Sequence, residues 1–308
     1  MQIIRDPDRL RTYPAPVVAI GNFDGVHAGH QAILQTAIAE AQALGGSAFA
    51  LTFDPLPARV LAPERAPKLI LTPEDKLELL RNSGLDGVLV LDFTLELSRL
   101  TPRDFVRRYL IGRIGVRKVV VGHSVSFGHQ RAGNAEVMTA LGRELGFAVS
   151  VVGPVEVAGI ESSSTRVREV IGEGDLVTAA KLLGRRHFLR GPVVHGRERG
   201  RTIGFPTANI QSRTELLPPD GVYATRIILP DGNAHGSITN IGMRPTFAEP
   251  ARTIEAHIFD FNRDIYDQEV KLELIERIRP EKKFESAQAL ATQIASDVSR
   301  ARSIVTSG

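Results

Sequence analysis

Two histidines three residues apart, His27 and His30, stand in the stretch GNFDGVHAGH, directly after the apolar run VVAI. If a helix begins near His27, this spacing places both imidazoles on one helical face. Free amides at a helix start favour phosphate, and nearby imidazoles can donate hydrogen bonds to its oxygens as charge develops. Gly21 and Gly25 would let the backbone turn sharply beside the ligand. The segment predicts a phosphate site, although such a histidine pair more often lies on the surface or caps the helix.

A second segment, ESSSTRVREV at 161–170, also favours an anion. Its serines and threonine suit a helix N-cap, which would place Arg166 and Arg168 in the first turn. Cations there oppose the helix dipole at a cost of about a few tenths of a kcal/mol, so a bound anion would compensate. The alternative is a solvated arginine pair.

The third segment, GRERGRTIGFPTANI at 196–210, combines glycines with a hydroxyl and an amide. Gly196, Gly200 and Gly204 would permit the backbone to wrap around phosphates. In an extended chain Thr207 and Asn209 point the same way, and their oxygens suit Mg²⁺ that also holds nucleotide phosphates. An ordinary hairpin loop with polar turn residues remains the alternative.

Glu255 lies in the alternating segment TIEAHIFDF, with Ile254 and Ala256 facing the other way. A carboxylate so placed could accept a proton from a substrate hydroxyl, whereas a lone glutamate in such a strand is more often a solvated residue. The loop NIGMRPTF at 240–247 adds Arg244 and could cover a ligand.

The elements that must position these residues differ between the two halves of the chain. In the first half, buried strands are predicted at 17–21, 47–53, 87–93, 118–122 and 147–153, with helices at 29–44, 73–82, 102–112 and 134–145 between them. Near-continuous apolar strands separated by helices indicate a doubly wound parallel sheet covered on both faces. Thr72-Pro73 and Thr101-Pro102 are typical helix starts. Ligands of such sheets bind beyond the carboxyl ends of the strands, where the first histidine pair would lie.

After residue 183 the strand-like segments follow one another without long helices, and PDGN at 230–233 predicts a hairpin turn. This pattern indicates an antiparallel barrel or sandwich. The stretch from about 284 to 305 predicts one amphipathic helix packed on it. The sequence therefore predicts two domains, an α/β domain at 1–183 and an all-β domain with a C-terminal helix at 184–308.

Composition sets limits on the function class. The 308 residues, 43% hydrophobic, can bury two cores, and a net charge of +3 without a basic stripe disfavours nucleic acid as a partner. The chain has no cysteine, which excludes disulfides and thiolate metal sites. No apolar run reaches the roughly 18 residues of a membrane span, and the N-terminus does not read as a signal peptide. We expect a cytoplasmic protein with small-molecule substrates; the oligomeric state does not follow from the sequence.

GNFDGVHAGH together with SSTRVR resembles the nucleotidyltransferase domain of prokaryotic bifunctional riboflavin kinase/FAD synthetases. The resemblance implies that FMN attacks the α-phosphate of ATP, giving FAD and pyrophosphate. It implies that His27 and His30 bind the phosphates and stabilise the transition state, and that Arg166 holds the triphosphate end. The further nucleotide- or flavin-binding residues it implies here are Gly21, Asn22, Phe23, Asp24, Gly25, Ser164, Thr165 and Arg168.

The second half resembles the riboflavin kinase module of the same family, which is a six-stranded barrel. The resemblance implies Mg²⁺ and ATP phosphate at Thr207 and Asn209, and Glu255 as the base that activates the ribityl 5′-hydroxyl of riboflavin. The binding residues it implies are Gly196, Gly200, Gly204, Pro206, Asn240, Gly242 and Arg244.

Two segments depart from the family pattern. Leu56 stands where TFDPHP would have histidine, and Ser124, Val125 and Ser126 stand where the family usually has an Asp or Asn, an aromatic residue and often Arg or Thr. One alternative is therefore a riboflavin kinase whose adenylyltransferase activity is weakened or lost. A non-catalytic flavin-binding protein is another alternative. A nucleotidyltransferase acting on a different phosphate would account for the first half only.

Overall fold

The computed structural model describes residues 1–5, 13–196, 204–244 and 251–307. The chain divides into two compact units, Met1–Ser164 and Thr165–Gly308. This division lies earlier than residue 183 because the helices that follow Ser164 pack with the second unit: Leu176 belongs to the apolar core of the C-terminal strands. The functional boundary at 183/184 stays a prediction.

The first unit is built on a six-stranded sheet in the order β1-β4-β3-β2-β5-β6, and every pairing in it is parallel. Its strands are β1 Gln2–Ile4, β2 Val17–Ile20, β3 Ala48–Asp54, β4 Gly87–Asp92, β5 Lys118–Gly122 and β6 Ala148–Val152. The five predicted strands are confirmed. No sequence pattern predicted β1, which adds only three residues to the edge beside β4. A further short antiparallel pair comprises β7 Glu156–Val157 and β8 Ile160–Glu161.

Helices connect the parallel strands, as the alternating pattern predicted. They are α1 Ala28–Ala43, α2 Pro57–Leu61, α3 Pro73–Arg81, α4 Leu95–Ser98, α5 Pro102–Phe105, which continues as a π-helix over Val106–Ile114, and α6 Ala135–Leu145. Short 3₁₀ turns occupy Pro63–Arg65 and His129–Arg131. The predicted helix starts are confirmed, since the hydroxyls of Thr72 and Thr101 accept hydrogen bonds from the amides of Asp75 and Asp104.

β2 lies in the middle of the sheet, with β3 on one side and β5 on the other. The chain order reverses between β2 and β5, and this switch point is where a doubly wound sheet opens beyond its carboxyl ends. The segment GNFDGVHAGH leaves β2 at that end and leads into α1.

The second unit begins with α7 Ser164–Glu173, whose first residue still belongs to the first unit, and α8 Leu176–Leu183. Six strands then form a closed barrel in the order β10-β13-β12-β11-β14-β9, with antiparallel neighbours throughout. They are β9 His187–Val194, β10 Ala208–Ile210, β11 Gly221–Ile228, β12 Ala234–Arg244, β13 Ala251–Ile258 and β14 Glu269–Arg279. The barrel confirms one of the two architectures that the sequence left open.

The predicted amphipathic C-terminal helix is α9 Ala287–Ser307. It packs on the outside of the barrel, where Ala301, Val298 and Val305 join Val222 and Ile238 in an apolar cluster. The side chain of Asp297, 4% exposed, pairs with Arg279 of β14 at 2.8 Å. No helix among the described residues is long and apolar enough to cross a membrane.

His187 is buried at the start of β9, where its Nε2–H donates to the carbonyl oxygen of Leu216 at 3.0 Å. Burial lowers the pKa of His187 from 6.5 to about 4, and the charge of Arg185 adds to this. The native state therefore keeps this imidazole neutral at pH values where the unfolded chain protonates it.

We predict that the free energy of unfolding of the second unit falls as pH decreases from about 6.5 to 4, because the unfolded state then binds the extra proton. The contribution of His187 across this window is about 3 kcal/mol. Urea titrations followed by far-UV circular dichroism between pH 4.5 and 7.5 measure it.

The variant His187→Gln keeps an N–H donor but does not titrate, so its pH dependence should be shallower than that of the wild type. His129→Gln, at an exposed histidine of the first unit, should leave the slope unchanged. Equal slopes for wild type and His187→Gln would contradict the assignment.

Candidate functional site

The loop between β2 and α1 has an unusual backbone. Phe23, Gly25 and Val26 all have positive φ values, of 51°, 89° and 41° respectively. Phe23 is completely buried, and its ring fills the space beside Gly21, where an added Cβ would lie 3.1 Å from the ring. Gly25 thus provides the left-handed turn that the sequence predicted, whereas a side chain at Gly21 would press against the Phe23 ring.

The two histidines of this loop form a stacked pair. The ring centroids of His27 and His30 are 3.7 Å apart with an interplanar angle of 29°, and Phe23 contacts His30 edge-on at 5.3 Å. His27 is the residue before the first turn of α1 and is 5% exposed, and its Nδ1 lies 3.3 Å from Oγ of Ser162. The predicted placement of both imidazoles on one face at the start of α1 is confirmed.

Asp24 and Ser164 bond to the protein itself. The carboxylate of Asp24 accepts hydrogen bonds from the backbone amides of Ile70 and Leu71 at 3.1 and 3.3 Å. The hydroxyl of Ser164 donates to the carbonyl oxygen of Asp24 at 2.8 Å. Both residues hold the loop in place in this structure, and their contact with nucleotide stays a prediction.

Arg166 lies in the first turn of α7, as predicted, and Thr165 before it is exposed. The prediction is wrong for Arg168, because α7 begins at Ser164 and its fifth residue already belongs to the second turn. Arg166 forms an ion pair with Glu169 at 3.0 Å on the same helix. This pair offsets part of the unfavourable interaction between the arginine and the helix dipole.

On the barrel, three polar residues from adjacent strands stand side by side: Asn209 pairs with Glu255, and Glu255 pairs with Asn240. We call them the polar row. Their neighbours along the strands, including Ile254, Ala256 and Ile241, fill the barrel interior, so the pleat turns the polar row to the outside. Thr207 precedes β10 by one residue and is two residues from Asn209, which places its hydroxyl on the same side.

Residues of neighbouring segments contact the polar row. A Cβ on Gly196 would lie 2.1 Å from the amide nitrogen of Asn209, so that amide occupies the space above the glycine. Gly242 is covered in the same way by Glu281, which also accepts a hydrogen bond from the Asn240 amide at 3.2 Å. His257 Nδ1–H donates to the carbonyl oxygen of Pro206 at 2.8 Å, which fixes the segment before Thr207 to β13.

Sequence reasoning did not find Ser162, His257 or Glu281. The serine cluster and the alternation of TIEAHIFDF were visible signals for the first two, whereas nothing in the sequence connects Glu281 with residues about forty positions earlier.

Gly204 has φ 88° and open space around it. The backbone of Arg244 pairs with Ala251, and Gly200 lies outside the described residues.

The donor set on the barrel suits a hard cation only in part. Thr207 and Asn209 offer a hydroxyl and an amide oxygen, which are ligands that Mg²⁺ accepts together with water and phosphate. Within the described ranges no group of three His, Asp or Glu side chains could hold a metal by itself. The cation would therefore depend on nucleotide phosphates for most of its negative charge.

Comparison with known proteins gives matches over both halves. A family model described as FAD synthetase matches residues 11–166, and one described as riboflavin kinase matches residues 183–305. A bifunctional riboflavin kinase/FMN adenylyltransferase of Pseudomonas fluorescens is 36% identical over 99% of this chain and 98% of its own length. The chain belongs to this bifunctional family. A Listeria monocytogenes member is 40% identical over 91% of the chain and 90% of its own length.

The fold is shared as well. A solved structure from Streptococcus pneumoniae, described as a macrolide-efflux protein, has a TM-score of 0.88 and 32% identity, covering 97% of this chain and 98% of that one. Family membership confirms the resemblance that the motifs indicated and identifies the chain as a transferase. Of the residues that depart from the family pattern, Leu56 lines a cavity with Asn22 and Lys76, and Ser124 is exposed after β5.

We predict that Gly29→Ala destabilises the first unit by about 1–3 kcal/mol, because its Cβ would lie 2.8 Å from the Ser162 carbonyl oxygen and 3.1 Å from the His27 ring. Gly172→Ala, in α7 with open space around it, is the matched control and should be neutral or stabilising by up to about 1 kcal/mol. Thermal unfolding of both variants tests this; equal effects would show that the helix start is not tightly packed against residue 162.

Proposed function

We propose that this chain catalyses two successive reactions: riboflavin and ATP give FMN and ADP, and FMN and a second ATP give FAD and pyrophosphate. Membership of the bifunctional family supports the pair of activities. The observation that assigns the reactions to sites is that each unit carries its own polar cluster. The first unit has the stacked histidine pair at the switch point of the sheet, and the second has the polar row on the barrel.

For the kinase reaction, Glu255 accepts the proton of the ribityl 5′-hydroxyl. The 5′-oxygen forms a bond to the γ-phosphorus of ATP as the bond to the leaving ADP oxygen breaks. Thr207 and Asn209 would hold Mg²⁺, which supplies charge neutralisation on the phosphates. The amide of Asn240 lies beside Glu255 and helps to orient the substrate hydroxyl. His257 keeps the Thr207 segment against β13.

For the adenylyl transfer, a phosphate oxygen of FMN attacks the α-phosphorus of ATP, and pyrophosphate leaves. This nucleophile is already ionised at neutral pH, so the reaction needs no base. His27 and His30 donate hydrogen bonds to the α-phosphate oxygens as negative charge develops there, and Ser162 orients the ring of His27 through Nδ1. Arg166 holds the triphosphate end, and Arg168 is a further binding residue.

The further binding residues proposed are those that the motifs indicated. In the first half they are the backbone of 21–25 with Ser164 and Thr165, and in the second half Pro206, Gly242, Arg244 and the glycines of 196–204. We place the reactions in the cytoplasm, where riboflavin, FMN and ATP are the partners and neither nucleic acid nor membrane takes part.

A time course with riboflavin and Mg-ATP, with flavins separated by chromatography, tests the proposal. FMN followed by FAD is the expected result. FMN alone would contradict adenylyl transfer, and Leu56→His with Ser124→Asp would then be expected to restore FAD formation. Flavin binding without any product would contradict both activities.

We predict that each activity can be removed separately. His27→Ala should lower FAD formation from supplied FMN by about 100- to 1,000-fold, because an electrostatic donor to the transition state is lost. Its FMN formation from riboflavin should stay within twofold of the wild type.

Glu255→Gln should do the opposite, lowering FMN formation by about 100-fold or more through loss of the base while leaving FAD formation from supplied FMN intact. His123→Asn and Glu276→Gln, at an exposed turn and an exposed ion pair, are the matched controls. A parallel loss of both activities in either variant would contradict the assignment of the two sites.

A further inference from the structure

Lys76 of α3 reaches the carboxyl ends of β2 and β3, beside the loop between β2 and α1 that carries His27. Its ammonium donates to the carbonyl oxygen of Phe53 at 3.1 Å, to the hydroxyl of Thr52 at 3.3 Å and to the carbonyl oxygen of Asn22 at 3.5 Å. An ammonium has three donors. All three donors of Lys76 therefore point at the ends of these two strands.

The environment of Lys76 is unusual for a lysine. It lines a cavity with Asn22, Asp54 and Leu56. Burial lowers the pKa of Lys76, while the carboxylates of Asp54 and Asp24 act in the opposite direction. Burying a lysine costs free energy. Arg81, on the same helix, is exposed to solvent instead.

The segment 70–76, which ends at Lys76, bonds to the loop between β2 and α1 at two points. The backbone amides of Ile70 and Leu71 donate to Asp24, and Lys76 donates to Asn22. Phe23 lies between these two attachment points with φ 51°, and its ring contacts His30 edge-on. Thr52 adds a third contact, since its hydroxyl donates to the same Asn22 carbonyl at 3.1 Å.

We infer that Lys76 is a positioning residue for adenylyl transfer: it fixes Asn22 and the end of β3, and through Phe23 it holds His30 and the stacked His27 in register with the phosphates. The inference rests on the proposed function of the histidine pair. Misplacing a catalytic group by about 1 Å can cost roughly 100-fold in rate, so the effect of releasing the loop should be large.

The test uses the full chain, because the kinase reaction of the same molecule serves as an internal control. Lys76→Met removes all three hydrogen bonds and should lower kcat for FAD formation by about 10- to 100-fold. The KM values for FMN and ATP, together with the kinase kcat, should stay within threefold of the wild type. Lys76→Arg restores donors at this place and should recover part of the loss, and Arg81→Met on the same helix should change nothing.

A kcat for FAD formation within threefold of the wild type in Lys76→Met would overturn the inference. So would a change confined to KM, because that result would place Lys76 in ground-state binding. If the first unit of Lys76→Met does not fold, as judged by circular dichroism and thermal unfolding, the near-isosteric Thr52→Val decides. It removes one acceptor of Lys76 and one donor to Asn22, so a smaller fall in kcat supports the inference and unchanged kcat rejects it.

Failure of the proposed function gives a different result, because the wild type itself would then make no FAD from FMN. Wild-type adenylyl transfer together with an unaffected Lys76→Met variant rejects only the role of Lys76.

Discussion

The buried ring of Phe23 determines the shape of the first site. Because it enters the core directly after β2, the backbone at 23 takes a positive φ, and the chain must turn again at Gly25 before α1 can begin. The same ring lies edge-on to His30, which stacks on His27. A buried aromatic ring therefore fixes the orientation of the stacked imidazole pair, of which His27 is itself buried, and the strain of the left-handed backbone is balanced by burial and by the bonds to Asp24.

The second site depends on a different constraint, the two-residue period of a β-strand. In a closed barrel every strand turns alternate residues inward, so the apolar side chains that fill the interior force their neighbours outward. Asn209, Glu255 and Asn240 occupy such positions on three adjacent strands, in direct register. A shift of one residue in any of these strands would move its polar group into the core, so the packing of the barrel also enforces the composition of the site.

Local patterns predicted most of the fold and the position of the histidine pair at the start of α1. The apolar runs of β2 to β6, the threonine-proline helix starts and the barrel strands carry signals within a few residues, and the structure confirms them. β1 and β10 span three residues each, too few for a period to show. Lys76 and Glu281 could not be found because only tertiary packing brings them to their partners. Those of Lys76 are 23 to 54 positions away in the chain, and the partner of Glu281 is 41 positions away.

Gly196 and Gly242 show that a motif can be recognised from the sequence while the physical reason for its glycines is only partly understood. Sequence reasoning assigned Gly196 to backbone close to phosphate and Gly242 to a loop that could cover a ligand. In the structure their missing side chains leave room for the amide of Asn209 and the carboxylate of Glu281. A Cβ at either position would displace a polar group that stands in or beside the row containing Glu255. The absence of a side chain therefore orients the functional side chains of neighbouring segments, and a substitution there would be expected to disturb catalysis before it disturbs the barrel.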